Sequence, residues 1–267
     1  MFSTYIINEI FQNLLKIPYV KGKHVIEFYP TFGLLSTRLL KKEPLSYTFV
    51  EPDKRVIKSL ERLAQAAKDN DIGVRLIRTE PLKENFQKLH FQQKYRDTLT
   101  HFNKIKTVKD PSNTVVVANC PFWATNYFLQ RLCDEYVDRG AQGQTVGLFR
   151  AGAVPIYMNT SAAQGAALLG KMSKLGKLVD NFFEIKEVQL VEGQHYTPKC
   201  KIDTLWIMLK PRPEPLLDLK LTDLEKLINI YWNDRDNMFA PRPGQPSIGH
   251  AFVDRMKVNI FPSVRIL

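Results

Sequence analysis

Asn119 is followed by Cys120, Pro121 and Phe122, and the four close an apolar run, Thr114–Ala118, of the kind that makes a buried strand. An amide beside an aromatic ring can orient an exocyclic amino group and hold the base that carries it. Once the nitrogen lone pair is aimed at an electrophile, no strong base is needed. Asn119 and Pro121 also suit a plainer task, ending a strand and shaping a turn. A second candidate is Glu51, in Phe49-Val50-Glu51-Pro52, which ends another apolar run about 24 positions after Glu27. That is close to the spacing of a carboxylate that bonds ribose hydroxyls beyond the carboxyl ends of a nucleotide-binding sheet. In such a sheet a glycine-rich turn lets the main chain approach the ligand, and here the turn reads Glu27-Phe28-Tyr29-Pro30-Thr31-Phe32-Gly33. Side chains at Tyr29 and Thr31 are expected to crowd the space that glycine leaves open.

These residues need elements to hold them. Short apolar runs alternate with segments of helical period, which predicts an α/β fold with a mainly parallel sheet. Val25–Tyr29, Tyr47–Val50, Val74–Ile77, Thr114–Ala118 and Thr145–Phe149 have the β-branched and aromatic content of buried strands. Leu34–Lys41, Lys54–Lys68 and Ala124–Asp138 supply crossover helices, with Val56, Leu60 and Leu63 on one face and Phe128, Leu129, Leu132 and Tyr136 on another. A helix over Ala162–Leu178 follows, then Phe182–Val191 and Ile202–Leu209 as an antiparallel edge. The result is a seven-stranded, Rossmann-like sheet over residues 1–211. Residues 212–239 form a small helical region, with Leu221–Trp232 as an amphipathic helix capped by Thr222 or Asp223. The run Ala240-Pro241-Arg242-Pro243-Gly244-Gln245-Pro246 stops any helix, so 240–267 read as an extended arm.

Charge narrows the partners. Lys and Arg exceed Asp and Glu by 38 to 27, a net charge of +11, which favours a polyanion and above all nucleic acid. The stretch from Lys83 to Asp110 is longer than a usual loop. It holds seven basic against three acidic residues, interleaved with Phe86, Phe91, Tyr95 and Phe102, and suits either a backbone-binding surface or a helical insertion packed on the sheet. Three cysteines without a C-x-x-C pair imply a reduced, intracellular chain, and five scattered histidines imply no metal site. No apolar run is long enough to cross a bilayer, so no membrane partner is expected. Residues 1–24 lack the Arg-rich, acid-poor character of a matrix transit peptide, so any organelle address is uncleaved, weakly encoded or already removed.

Asn119-Cys120-Pro121-Phe122, followed far downstream by Tyr196-Thr197-Pro198-Lys199-Cys200-Lys201-Ile202-Asp203-Thr204, resembles the paired signatures of the rRNA adenine N6-dimethyltransferases and their mitochondrial relatives, the B-type transcription factors. The resemblance runs from about Tyr5 to Leu209. It implies the S-adenosylmethionine methyltransferase fold, with Glu27, Gly33, Glu51, Glu80 and Asn119 at the cofactor and Asn119 with Phe122 at the target adenine. The first motif departs from the family's Glu-x-Gly-Pro-Gly-x-Gly: Tyr29 and Thr31 replace two glycines. Tyr29-Pro30 is similar to the fungal mitochondrial transcription factor B branch, which keeps the fold and serves the single-subunit mitochondrial RNA polymerase. Two further departures agree with it: the family's Gln-Asn/His-Phe-Leu segment, which closes over the cofactor, is missing before Ile6, and Arg150-Ala151-Gly152-Ala153-Val154 stands for the family's Gln-Lys-Glu-Val-Ala run after strand five.

That branch implies a transcription initiation factor in the mitochondrial matrix. It would bind the polymerase and promoter DNA, assist melting and hold the non-template strand, with no cofactor required and at most a vestigial S-adenosylmethionine site. Candidate nucleic-acid contacts are Lys104, Lys106, Lys109, Trp123, Arg150, Tyr196, Lys199, Lys201 and Arg242, because a melted strand needs cations along a groove and flat faces for its bases. In the resembled factors the C-terminal arm reaches toward the polymerase active site. The alternatives are an active S-adenosylmethionine-dependent rRNA adenine N6,N6-dimethyltransferase, with catalysis by Asn119 and Phe122, and a structural ribosome-assembly protein that binds rRNA.

Overall fold

The computed structural model describes residues 6–7, 18–78, 110–137, 148–149, 152–197 and 199–238. Seven strands form one sheet: β2 (His24–Phe28), β3 (Ser46–Glu51), β4 (Gly73–Arg78), β5 (Thr114–Ala118), β6 (Ile156–Ser161), β7 (Phe183–Val191) and β9 (Thr204–Pro211). Their order is β4-β3-β2-β5-β6-β9-β7, and β9 enters antiparallel to both of its neighbours while β2 to β6 run parallel. A separate two-stranded pairing joins β1 (Ile6–Ile7) to β8 (Tyr196–Thr197).

Alternation along each strand feeds two cores. Val25, Tyr47, Phe49, Val115 and Val117 face α1 (Leu34–Leu40) and α2 (Ile57–Lys68), where Leu39, Leu60 and Ala64 meet them. Ile26, Phe28, Val50, Val116 and Ala118 face the opposite layer. That layer holds α3 (Thr125–Val137), α4 (Ala162–Leu169), α5 (Lys174–Phe182) and α6 (Leu221–Met238), which contribute Phe128, Leu132, Leu168, Phe182, Leu224 and Ile228. Since β5 is buried at every position, its sequence shows no alternation and reads as the unbroken run Thr-Val-Val-Val-Ala.

Three expectations fail in an informative way. The fifth parallel strand is Ile156–Ser161, not Thr145–Phe149. Leu148 and Phe149 are buried but form a bend, and the Leu148 N–H donates to Glu135 Oε2 at 3.1 Å instead of to a ladder. Pro155, which reads as a breaker, stands just ahead of β6, where its missing N–H does no harm and its carbonyl accepts from Val116 N–H at 3.0 Å. It follows that Ser161-Ala162-Ala163-Gln164, with Ser161 capping α4, comes after strand five, and Arg150–Val154 precedes it. The expected single helix over Ala162–Leu178 is two helices, broken at Gly170–Ser173, where Ser173 caps α5. At α6 the helix begins at Leu221, so Thr222 and Asp223 lie in its first turn and neither is its cap. The arm, 240–267, lies outside the described residues.

Candidate functional site

Strand order reverses direction between β2 and β5, and at that point an open α/β sheet leaves a crevice beyond its carboxyl ends. A cavity of about 470 Å³ lies there. Its walls come from the ends of four parallel strands and from the loop around β8: Tyr29 and Thr31 after β2, Glu51 to Val56 after β3, Asn119 to Trp123 after β5, Asn159 on β6, and Tyr196, Cys200 and Thr204. Residues from every motif singled out in the described sequence therefore meet in one place.

The opening turn keeps a glycine-type backbone without the glycines. Tyr29 has φ 56° and Thr31 φ 55°, both in the left-handed region, which costs a residue with a Cβ roughly 1–2 kcal/mol. Three main-chain hydrogen bonds offset this: Tyr29 N–H donates to the Val50 carbonyl at 3.0 Å, Gly33 N–H to the Pro30 carbonyl at 2.9 Å, and Thr31 N–H to Glu51 Oε2 at 2.9 Å. The Tyr29 ring turns inward, edge-on to Phe128 with 6.4 Å between centroids, and is only 6% exposed. The expected crowding is thus partial: both residues line the cavity, but the Tyr29 ring packs into the core, and the cavity stays open beside them. Gly33 does not line it. With φ 81°, and with a hypothetical Cβ only 2.2 Å from Leu63 Cδ1, it lets the turn settle on α2.

The two acids part company. Glu51 lines the cavity, accepts from Thr31 N–H through one oxygen and from Asp53 N–H at 2.8 Å through the other, and burial pushes its carboxyl up to about 7. Glu27 does not reach the cavity. It is fully buried on the α1–α2 side, where the Ser36 and Tyr47 hydroxyls donate to its Oε2 at 2.5 and 2.6 Å; burial raises it likewise to about 7. Glu27 therefore ties the turn to α1 and β3 and is not a wall of the site. Glu80 lies outside the described residues, as do Lys104, Lys106, Lys109, Arg150 and Arg242.

At the opposite end, β5 delivers Asn119, whose N–H donates to the Phe28 carbonyl at 3.1 Å and whose side-chain Oδ1 accepts from Asn159 Nδ2 at 3.2 Å. Asn159 Nδ2 also donates to the Tyr196 hydroxyl at 3.3 Å, and Tyr196 shares a 2.6 Å hydrogen bond with Thr204 Oγ1. Tyr196, expected as a stacking face, is 5% exposed and packs with Val191 and Trp206; its place in this relay is the corrected role. Phe122 and the more exposed Trp123 line the mouth, and exposed Lys199 and Lys201 flank Cys200. The loop that carries Tyr196 and Cys200 is cinched at its neck, with Gly193 N–H donating to Asp203 Oδ1 at 2.8 Å and Cys200 N–H to the Gly193 carbonyl at 2.9 Å. Sequence reasoning missed Asn159. The polar end of Ile156-Tyr157-Met158-Asn159 carried the signal, which the misplaced fifth strand concealed.

Strand order and a crevice at the reversal point define an S-adenosylmethionine methyltransferase fold. A family model described as ribosomal RNA adenine dimethylase matches residues 1–240, and the chain belongs to that family. No curated protein matches the chain in sequence. Among solved structures it is similar to the 23S rRNA methyltransferase ErmE, with 17% identity, a TM-score of 0.52 and coverage of 84% of this chain and 75% of that one. It is also similar to a dimethyladenosine transferase from Plasmodium falciparum, with 13% identity, a TM-score of 0.52 and coverage of 90% and 84%. At these identities the likeness is one of fold.

The family's cofactor can be tested against the walls. A cavity of about 470 Å³ is large enough for a nucleoside, and Glu51 stands where a ribose-binding acid is needed. The bare main-chain cradle that glycines would give the aminoacyl half of S-adenosylmethionine is altered, because Tyr29 and Thr31 each carry a Cβ there. The residues fit a base or nucleoside, and Tyr29 and Thr31 stand where the family's pattern has glycines.

Proposed function

We propose that this chain is a nucleic-acid-binding member of the family that has given up methyl transfer and serves as a mitochondrial transcription initiation factor. In this reading it binds the single-subunit mitochondrial RNA polymerase and promoter DNA in the matrix, assists melting and holds the non-template strand. The observation that carries it is the opening turn: Tyr29 and Thr31 hold glycine-like backbone angles where the family's pattern has glycines, and both residues line the crevice. The net charge of +11 supports a nucleic-acid partner, and so do the exposed Lys199 and Lys201 on either side of a cavity-lining residue.

The test pairs two measurements on the purified protein. Promoter opening by the polymerase, followed by the fluorescence of a base analogue placed in the melted region, is expected to require this chain and to ignore added S-adenosylmethionine. Calorimetry is expected to show no micromolar affinity for that cofactor. A second reading, the rRNA adenine dimethyltransferase, is favoured by the open cavity and by Asn119 and Phe122 in its wall. Micromolar cofactor binding, together with transfer of two methyl groups to a small-subunit rRNA hairpin, would establish it and overturn the first.

A further inference from the structure

Asn159 is 3% exposed, lines the crevice, and commits its amide hydrogens to Asn119 Oδ1 and the Tyr196 hydroxyl. Its own Oδ1 is buried with no hydrogen-bond partner among the described residues. A buried acceptor left unmade is costly, and the cost disappears when a ligand supplies an N–H. Nothing in the fold requires this arrangement: β6 is paired through its main chain to β5 and β9, and an apolar side chain at 159 would serve the ladder equally well. The relay behind the amide is rigid, since Tyr196 is itself fixed by Thr204 at 2.6 Å and Thr204 is buried on the adjacent strand. A residue of the cavity wall that is held from behind and keeps an unmet acceptor is suited to read a donor.

We infer that Asn159 is a specificity-determining residue of the crevice, its amide oxygen taking an N–H from the exocyclic amino group of an unstacked base seated against Phe122. The assignment follows from the commitments: Asn119 Oδ1 already accepts from Asn159, whereas Asn159 Oδ1 accepts from nothing among the described residues and gains most from the amino group. The inference rests on the reading that the crevice takes a base, and it is independent of whether any methyl group is transferred. An amino-bearing base satisfies the site. An analogue with the same ring and no amino group leaves the oxygen unpaired, and sites built to hydrogen-bond a substrate group reject the analogue that lacks it.

The experiment uses short single strands of abasic sites that carry one central base, so that phosphate contacts are held constant while the base is varied. Binding to the full-length protein is measured by fluorescence anisotropy for a strand with adenine, one with purine, which lacks the 6-amino group, and one that is wholly abasic. The adenine strand is expected to bind about ten-fold more tightly than the purine strand. In Asn159→Leu that ratio is expected to fall to near one. Equal binding of adenine and purine strands by the unmodified protein, both tighter than the abasic strand, overturns the role of Asn159 and leaves the base-binding reading standing. Equal binding of all three strands overturns the base-binding reading itself. Because these comparisons need no variant, they hold even where Asn159→Leu does not fold; a folded Asn159→Leu that keeps the ten-fold ratio also overturns the inference.

Discussion

The two ends of the crevice preserve different things. At the donor end the side chains differ from the family's pattern while the backbone is kept: Tyr29 and Thr31 stand at φ 56° and 55°, held by Val50 and Glu51. At the base end the side chains Asn119 and Phe122 match the family's pattern, and Asn119 has a place in a relay with Asn159, Tyr196 and Thr204. Main-chain geometry is fixed by hydrogen bonds that do not consult residue type. A glycine position can therefore lose its glycine without losing its shape, whereas a reading position depends on the atoms of one amide.

The comparison can be broken most severely at its anchor. Phe128 lies under the turn, edge-on to Phe28 at 5.1 Å and to Tyr29 at 6.4 Å, and is fully buried. Phe128→Ala is expected to cost about 3–5 kcal/mol in denaturant unfolding. A loss below about 1 kcal/mol would show that the turn does not depend on this packing. Gly33→Ala comes next, at roughly 2–3 kcal/mol, since it combines a positive φ with a Cβ driven into Leu63.

A pH series sharpens the contrast between the acids that tie the turn together and those at the surface. Glu27 and Glu51 both rise to about 7 in the folded chain from an ordinary 4.5. The folded state then keeps protons that the unfolded state releases. Their contribution is present in full below about 4.5 and declines as pH rises toward 7, with no further change above it. The urea midpoint should fall across that window, and Glu27→Gln with Glu51→Gln should flatten the slope. Smallest of all is Thr31→Gly. Relief of the left-handed strain is expected to raise stability by up to about 1 kcal/mol. A destabilised Thr31→Gly would mean that the threonine side chain holds the turn by contacts of its own.

Much of this architecture could be read before any coordinates. The runs at Val25, Tyr47, Val74 and Thr114 became β2 to β5: the central strands are buried on both faces and so carry nearly unbroken apolar runs, as at Thr114–Ala118, while the edge strand β4 alternates, with Arg75 exposed between Val74 and Leu76. The fifth strand was not legible. Thr145–Phe149 carries strand-like residues, but its described end, Leu148 and Phe149, is a buried bend tied to Glu135, 13 positions from Leu148 along the chain, while Ile156–Ser161 hid behind Pro155. The site was legible wherever side-chain chemistry identifies it, at Glu51, Asn119 and Phe122. It was illegible where tertiary packing decides: nothing local turns Glu27 away from the crevice toward Tyr47, sinks the ring of Tyr196, or pairs Asn159 with Asn119 across 40 residues.

The left-handed angles at Tyr29 and Thr31 also bear on how such a protein changes over generations. Since the loop already traces the path that glycines at these positions would take, a bare main-chain cradle is reached by trimming side chains and requires no rebuilding of the chain trace. If methyl transfer has been given up as proposed, that loss is shallow, with the route back short and the scaffold waiting.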